Sequence, residues 1–420
     1  MNKVESQTKK KATCYAIVDF GAKEMFTHHI PLIRMYSNMI KAKDYDLTLY
    51  LPQYANKIAF KDTYGEKKFV LNSNVFGPTR KENFPLYFLF YFMEIFFLNS
   101  LKKNSKVGIW ARTIFKIILC IKPYIQITFS LKNYKKKGLE EIHILFPTAD
   151  TLSIMFGRII QFRYRTLKIN LLFRMVGSES RGSLATGNEI LDLNKLIAIY
   201  PDQIKVGWET HGYRDYLLKT GIPAEVLFWS PWPSNSNYDD TTKKGINDIL
   251  VLGFLGMAKE RKGFDLIPKI LQDLISKNIA FKAIAQATIY PWAQYFETLE
   301  ILKSTFCGVV EILPPVLTDF ELDSTIAGID LMILPYDVNS YSINASGLLY
   351  LSADHGREVL SFKKVGFAWE IEDHDIGFTF SEISEISDLI VKIIENRKLD
   401  SIIKYNDNRH EATLQFLSLV

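Results

Sequence analysis

From Asn247 onward the sequence alternates short apolar runs with amphipathic stretches, and this limits the possible folds more than any other feature. "NDILVLGFLG" (247–256), "IAFKAIAQ" (279–286), "GVVEIL" (308–313) and "IDLMILPYDV" (329–338) read as strands. "FDLIPKILQDLISKN" (264–278) puts Leu266, Ile270, Leu271 and Leu274 on one side at helical spacing, with Pro268 in the tolerant first turn. "WAQYFETLEILKS" (292–304) reads as a second helix. In "TDFE", Thr318 and Glu321 form a capping-box pattern ahead of a short third helix, "LDSTIAG". "SINASGLLYLSADHG" (342–356) then starts a fourth, with Ser346-Gly347 at its beginning. Near-continuous apolar strands separated by helices imply a parallel sheet covered on both faces. Ligands in such sheets bind outside the carboxyl ends of the strands.

The first half repeats the alternation less clearly. "CYAIVDF", "DYDLTLYLP", "EIHILFP", "KINLLFRM" and "QIKVGWET" read as strands. At 420 residues the chain exceeds what one hydrophobic core usually serves, roughly 250–300 residues. The stretch 230–245, rich in Pro, Ser, Asn and charge, reads as a linker. The expectation is two Rossmann-like parallel-sheet α/β domains facing a cleft, over residues 1–235 and 236–400. A C-terminal helix over 401–420 would pack back on the first domain.

Charge supports the division. Residues 1–240 hold 34 Lys/Arg and 21 Asp/Glu, whereas the rest hold 17 and 25. A basic half is suited to an anionic partner, or is simply a solvated basic surface. The three scattered cysteines argue against a disulfide framework or zinc site, and the start lacks a signal-peptide apolar region; both point to a cytoplasmic protein. The most apolar run is Phe84–Leu98, interrupted by Glu94 and followed by Lys102, Lys103, Lys106 and Lys116. At 15 residues it falls short of the ~20 that a spanning helix needs. It reads either as a core helix or as a peripheral surface against an anionic membrane on its inner face.

Two segments could carry chemistry. In "GFLGMAKERKGFDLIPKIL", Gly253 and Gly256 allow a tight turn, and Lys262 could place a positive charge by a phosphate. A turn with a solvated lysine would look the same. The spacing is neither the dinucleotide-binding G-x-G-x-x-G nor a Walker lysine motif, which argues against a nicotinamide-dependent oxidoreductase. In the second segment, the helix start at Ser346-Gly347 offers free amides and a partial positive charge, with no side chain on Gly347 to obstruct phosphate oxygens. Ser346 could equally be a plain N-cap.

The two segments together resemble the donor-binding domain of GT-B glycosyltransferases, closest to the large retaining family 4, which uses nucleotide sugars. The resemblance covers most of residues 247–380 and, more loosely, 12–235. It implies that Lys262 and Arg261 stabilise a leaving diphosphate. Gly256, Ser346, Gly347, Asn344 and Tyr336 would bind the donor. In the first half, "DFGAKEMFTHHIPLIRMY" is similar to the family's first strand–loop–helix, so Gly21, His28 and His29 would line the acceptor side, His28 with a catalytic role. Glu209, opening the helix in "VGWETHGYRDYLLKTG", would join them. A histidine pair is also a common surface feature.

The sequence departs from the family at three places. Met257 stands where an arginine is usual, Ile343 and Leu351 where the paired acids are usual. The second acid ordinarily holds the ribose; Asp354 and Glu358 are substitutes by position. The implied activity is transfer of a sugar from a nucleotide sugar to a glycan or lipid-linked acceptor, with retention, and with no metal, cofactor or nucleic acid. The alternative is a degenerate relative serving as a sugar-binding or partner subunit.

Overall fold

A computed structural model describes residues 13–19, 29–52, 68–71, 141–149, 151–164, 166–172, 187–234, 249–256, 258–286, 296–314 and 317–419, with a few positions between 124 and 132. The chain divides into two compact units. The first takes residues up to Gly207 with Leu218–Phe228 and Leu414–Val420; the second takes Trp208–Leu217 and Trp229–Thr413.

The first unit is built on strands β1 (Thr13–Val18), β2 (Asp46–Pro52), β3 (Lys68–Leu71), β4 (Glu141–Phe146), β5 (Lys168–Leu172), β6 (Ile204–Trp208) and β7 (Leu227–Trp229). Their order in the sheet is β3-β2-β1-β4-β5-β6-β7, parallel from β3 through β6. Cys14 to Val18 are all buried, as a central strand covered on both faces requires. Helices α1 (His29–Ala42), α2 (Thr151–Arg163) and α3 (Gly187–Ile199) connect the strands, and α4 (His211–Lys219) follows β6. The last residues of the chain return to this unit. The Tyr15 hydroxyl and the Asn170 amide donate to the carbonyls of Leu417 and Phe416, each at 2.8 Å.

The second unit runs β8 (Leu250–Phe254), α5 (Ile267–Ser276), β9 (Phe281–Gln286), α6 (Phe296–Thr305), β10 (Val310–Leu313), α7 (Asp319–Gly328), β11 (Leu331–Leu334), α8 (Gly347–Asp354), β12 (Glu358–Phe362), α9 (Ala368–Asp373), β13 (Gly377–Phe380), α10 (Ile386–Glu395) and α11 (Leu399–Leu417). All its strand pairs are parallel, in the order β10-β9-β8-β11-β12-β13. The order reverses between β8 and β11. The loops after these two strands therefore lie at a topological switch point, where open α/β sheets hold ligands.

Local sequence explains most of these elements. Helix α5 buries Ile267, Ile270, Leu271 and Leu274. Leu266, expected on that face, falls in a short 3-10 turn ahead of the helix and is only partly buried. The capping box is present: the Thr318 hydroxyl accepts from Glu321 N at 3.2 Å, and Glu321 accepts from Thr318 N at 2.7 Å. Strand β11 stops at Leu334, short of the expected Val338, because Pro335 has no N–H to continue the ladder. The apolar run Phe84–Leu98, and Lys102, Lys103, Lys106 and Lys116, lie outside the described residues. Among the described residues no helix is long and apolar enough to cross a membrane.

Candidate anion-binding site

The loop after β8 leads to Gly256 at φ +113°, whose N–H donates to Gln286 Oε1 at 3.0 Å at the end of β9. A Cβ on Gly256 would lie 3.3 Å from Lys262 Nζ and 3.7 Å from Leu348 on α8. The chain then makes a 3-10 turn over Glu260–Lys262 and closes it with Gly263 at φ +68°. A side chain there is excluded twice over, since L residues avoid that φ and a Cβ would meet the Pro335 carbonyl oxygen at 2.0 Å. Gly263 thus sets the loop carrying Lys262 against the end of β11.

Lys262 Nζ donates to Tyr336 Oη at 3.2 Å and stands 4.8 Å from the centre of the same ring. Among the described residues no carboxylate lies within ion-pair distance of it. Burial pushes its pKa below the usual lysine value, and the neighbouring Arg261 adds to the effect. The ring and phenol therefore do not offset the loss of water around the ammonium.

Tyr336 is fully buried, and burial pushes its hydroxyl up to about 12. On its other side Ser346 Oγ donates to Tyr336 Oη at 3.5 Å. Ser346 occupies the N-cap position of α8 in an extended conformation, but its side chain makes no cap hydrogen bond. The plain N-cap reading is thereby corrected: the hydroxyl faces Tyr336, and the first-turn amides of α8 have no side-chain cap. The site brings together a desolvated ammonium, a helix N-terminus and a glycine turn, a combination suited to a phosphate group.

The structure thus groups Gly256, Lys262, Tyr336 and Ser346. Gly347 adjoins them, with its hydrogen facing Trp232: a Cβ would lie 3.3 Å from the indole. Arg261 is exposed, and its carbonyl accepts from Asp337 N at 3.0 Å. Asn344 is partly buried and donates to the Ser340 carbonyl at 2.9 Å. Glu209 is buried in the segment that belongs to the second unit, near enough to Tyr350 and Glu370 to raise their pKa values. Gly21 and His28 lie outside the described residues, as does the side chain of His29, which opens α1. Met257 is outside them too.

Both positional substitutes for the ribose acid have other partners. Asp354 pairs with Arg409 at 3.0 Å and accepts from Ser234 at 3.1 Å. Glu358 is fully buried, 2.8 Å from Arg397 Nε. Gln286 and Trp232 were not among the residues the sequence singled out. The one available signal for Gln286 was its place as a polar residue ending an apolar strand. Among the described residues no group of three or more His, Cys, Asp or Glu could hold a metal ion.

No protein-family model matches this chain, and no curated protein matches it. Solved structures do. Anabaena HepE in complex with UDP aligns over 96% of this chain and 95% of its own, at 13% identity and a TM-score of 0.58. A glycosyltransferase from Rickettsia africae aligns over 97% and 95%, at 11% identity and a TM-score of 0.58. Sucrose-phosphate synthase from Thermosynechococcus elongatus aligns over 96% and 95%, at 10% identity and a TM-score of 0.54. With two parallel sheets in two units, these likenesses establish the expected α/β GT-B fold class.

Proposed function

We propose that this protein is a glycosyltransferase that takes a nucleotide-sugar donor, holding its diphosphate at Lys262 and the first turn of α8. The observation that carries this reading is the Lys262 ammonium, desolvated and without a carboxylate partner among the described residues. A cation in that state gains most from an incoming anion, because charge interactions strengthen where water is excluded. The full-length likeness to a UDP complex supports the same ligand class.

In the proposed reaction the bond between the sugar's anomeric carbon and the diphosphate breaks, and the electron pair leaves with the diphosphate. Lys262, Arg261 and the α8 amides stabilise that charge, and no metal is needed for it. The acceptor hydroxyl oxygen bonds to the anomeric carbon, and its proton passes to the diphosphate oxygen that took the electron pair. Retention of configuration and a glycan or lipid-linked acceptor follow the family resemblance. So do acceptor-side roles for Gly21, His28, His29 and Glu209; a membrane surface at Phe84–Leu98 rests instead on that aromatic run and the lysines after it.

A second reading has its own observation. Ile343 and Leu351 are apolar where the resemblance implies acids, and Ile343 is packed against Gly212 and Gly366. That favours a chain that binds the donor without turning it over.

The test is a titration with UDP, other nucleoside diphosphates and nucleotide sugars, by calorimetry and thermal shift. A ligand at 100 times its Kd should stabilise the protein by roughly 2.7 kcal/mol. No response to any of them overturns the proposal. Binding without turnover, across a panel of glycan and lipid-linked acceptors, selects the partner-subunit reading.

A further inference from the structure

Resting on the donor-site reading above, we infer that Trp232 is a positioning residue that sets where the first turn of α8 stands relative to Lys262. The segment 232–234 touches both ends of this helix. At one end the Trp232 indole lies 3.3 to 3.8 Å from where a Gly347 Cβ would be. At the other, Ser234 Oγ donates to Asp354 Oδ1 at 3.1 Å. Gly347 therefore leaves room for an indole, and that indole determines how near α8 can come.

The residue that carries the indole is held through its backbone. The Trp232 carbonyl accepts from Arg409 Nε at 3.0 Å and from Nη2 at 2.8 Å. Arg409 is fully buried on α11, and its Nη1 reaches Asp354 at 3.0 Å and the Tyr350 carbonyl at 3.3 Å. One guanidinium thus ties the Trp232 backbone to the middle and end of α8. The indole also stacks on Tyr350, with ring centres 6.1 Å apart and planes 19° apart. A side chain added at position 347 must move the helix start rather than the ring. Moving it separates the α8 amides from the ammonium that Tyr336 links to Ser346.

The geometry makes a reciprocal prediction. Gly347→Val overfills the space under the indole. Trp232→Leu underfills it and loosens the first turn. Together, valine occupies the room that the smaller residue opens. Each single variant should weaken UDP binding at least tenfold and raise the donor KM more than it lowers kcat. The double variant should recover to within about threefold of the parent. Hydrogen exchange of the peptide spanning 343–356 gives a readout independent of nucleotide. It should speed up in each single variant and return toward the parent in the double. Parent-like UDP binding in Gly347→Val overturns the inference, as does a double variant no better than the worse single one. If the parent binds no nucleotide at all, the donor reading fails instead. The exchange pattern then decides on Trp232 alone: faster in the singles and restored in the double upholds its positioning role, and any other pattern removes it.

Discussion

Replacing Lys262 with methionine separates a lysine kept for a ligand from one kept for the fold. Methionine preserves the apolar stem, so the change removes the charge without opening the cavity that alanine would leave. The ammonium's contacts in the protein are the Tyr336 hydroxyl at 3.2 Å and the ring beneath it at 4.8 Å. Against these stands desolvation, and the lowered pKa shows that desolvation wins. A group whose folded pKa is depressed opposes folding while it is charged, and that penalty fades as pH rises through the folded value toward the ordinary 10.5. Lys262→Met should therefore be at least as stable as the parent at pH 7, with any advantage shrinking toward pH 10. Its effect on binding should be the opposite. A charged hydrogen bond to phosphate is typically worth about 1.5–3 kcal/mol. At 1.4 kcal/mol per factor of ten, UDP should bind about 10- to 150-fold more weakly. Calorimetry in buffers of differing ionisation enthalpy supplies a second assay. The bound anion favours the protonated amine, so the parent should take up protons above neutral pH where the variant does not. An unchanged UDP affinity in Lys262→Met would place the donor elsewhere. A large loss of stability alongside lost binding would make the lysine a structural group.

Glu370 accepts from the hydroxyls of Tyr350 and Tyr405, and burial pushes its carboxyl up to about 8. A raised carboxyl pKa gives stability that is complete below about pH 4.5 and is lost as pH rises through 8, at up to about 1.4 kcal/mol per pH unit. Thermal melts of Glu370→Gln should lack that decline between pH 5 and 8, and a decline equal to the parent's would show that another group causes it. Gly263→Ala forces a Cβ into the Pro335 carbonyl at positive φ. It should cost about 2 kcal/mol or more in denaturant unfolding and weaken UDP binding with it; a neutral result would mean the loop is not as described. Replacing Lys102, Lys103 and Lys106 with Gln should reduce cosedimentation with anionic vesicles in a salt-dependent way while leaving UDP affinity intact. Sedimentation indifferent to salt and to these changes would remove the membrane surface from the proposal.

How much of this was legible in the sequence depended on how far apart the interacting residues lie. In the second sheet the central strands β8 and β11 are buried almost throughout, so their apolar runs stand out without any knowledge of neighbours. Strands β3, β7, β12 and β13, three to five residues long, have no run of that length and went unseen. The loop carrying Lys262 was legible because glycine and lysine sit side by side in it. The reason for Gly347 was not. Sequence chemistry suggests room for phosphate, but the neighbour that needs the room is Trp232, more than a hundred positions earlier. The partners of Asp354 and Glu358 were hidden for the same cause. Nothing local shows that Arg409 and Arg397, on or before the last helix, already hold them.

The apolar replacements of the paired acids say more than their absence does. Ile343 is pinned on two sides by glycines: a Cβ on Gly212 would come within 2.9 Å of its side chain, and one on Gly366 within 2.8 Å of its backbone. Its carbonyl also accepts from the Thr210 hydroxyl. Leu351 is itself half-buried on α8. A carboxylate at either half-buried place would lose part of its water, which costs free energy unless a partner is supplied. On the proposed reading the phosphate end of the site rests on Lys262, Gly256 and the uncapped α8 amides. Donor affinity should then rest on the diphosphate far more than on the nucleoside. UDP, GDP and ADP are expected to bind within about tenfold of one another, and inorganic pyrophosphate to compete with them. One nucleotide preferred a hundredfold over the others would refute this, because a polar group would then have to be reading the nucleoside from a position assigned here to structure.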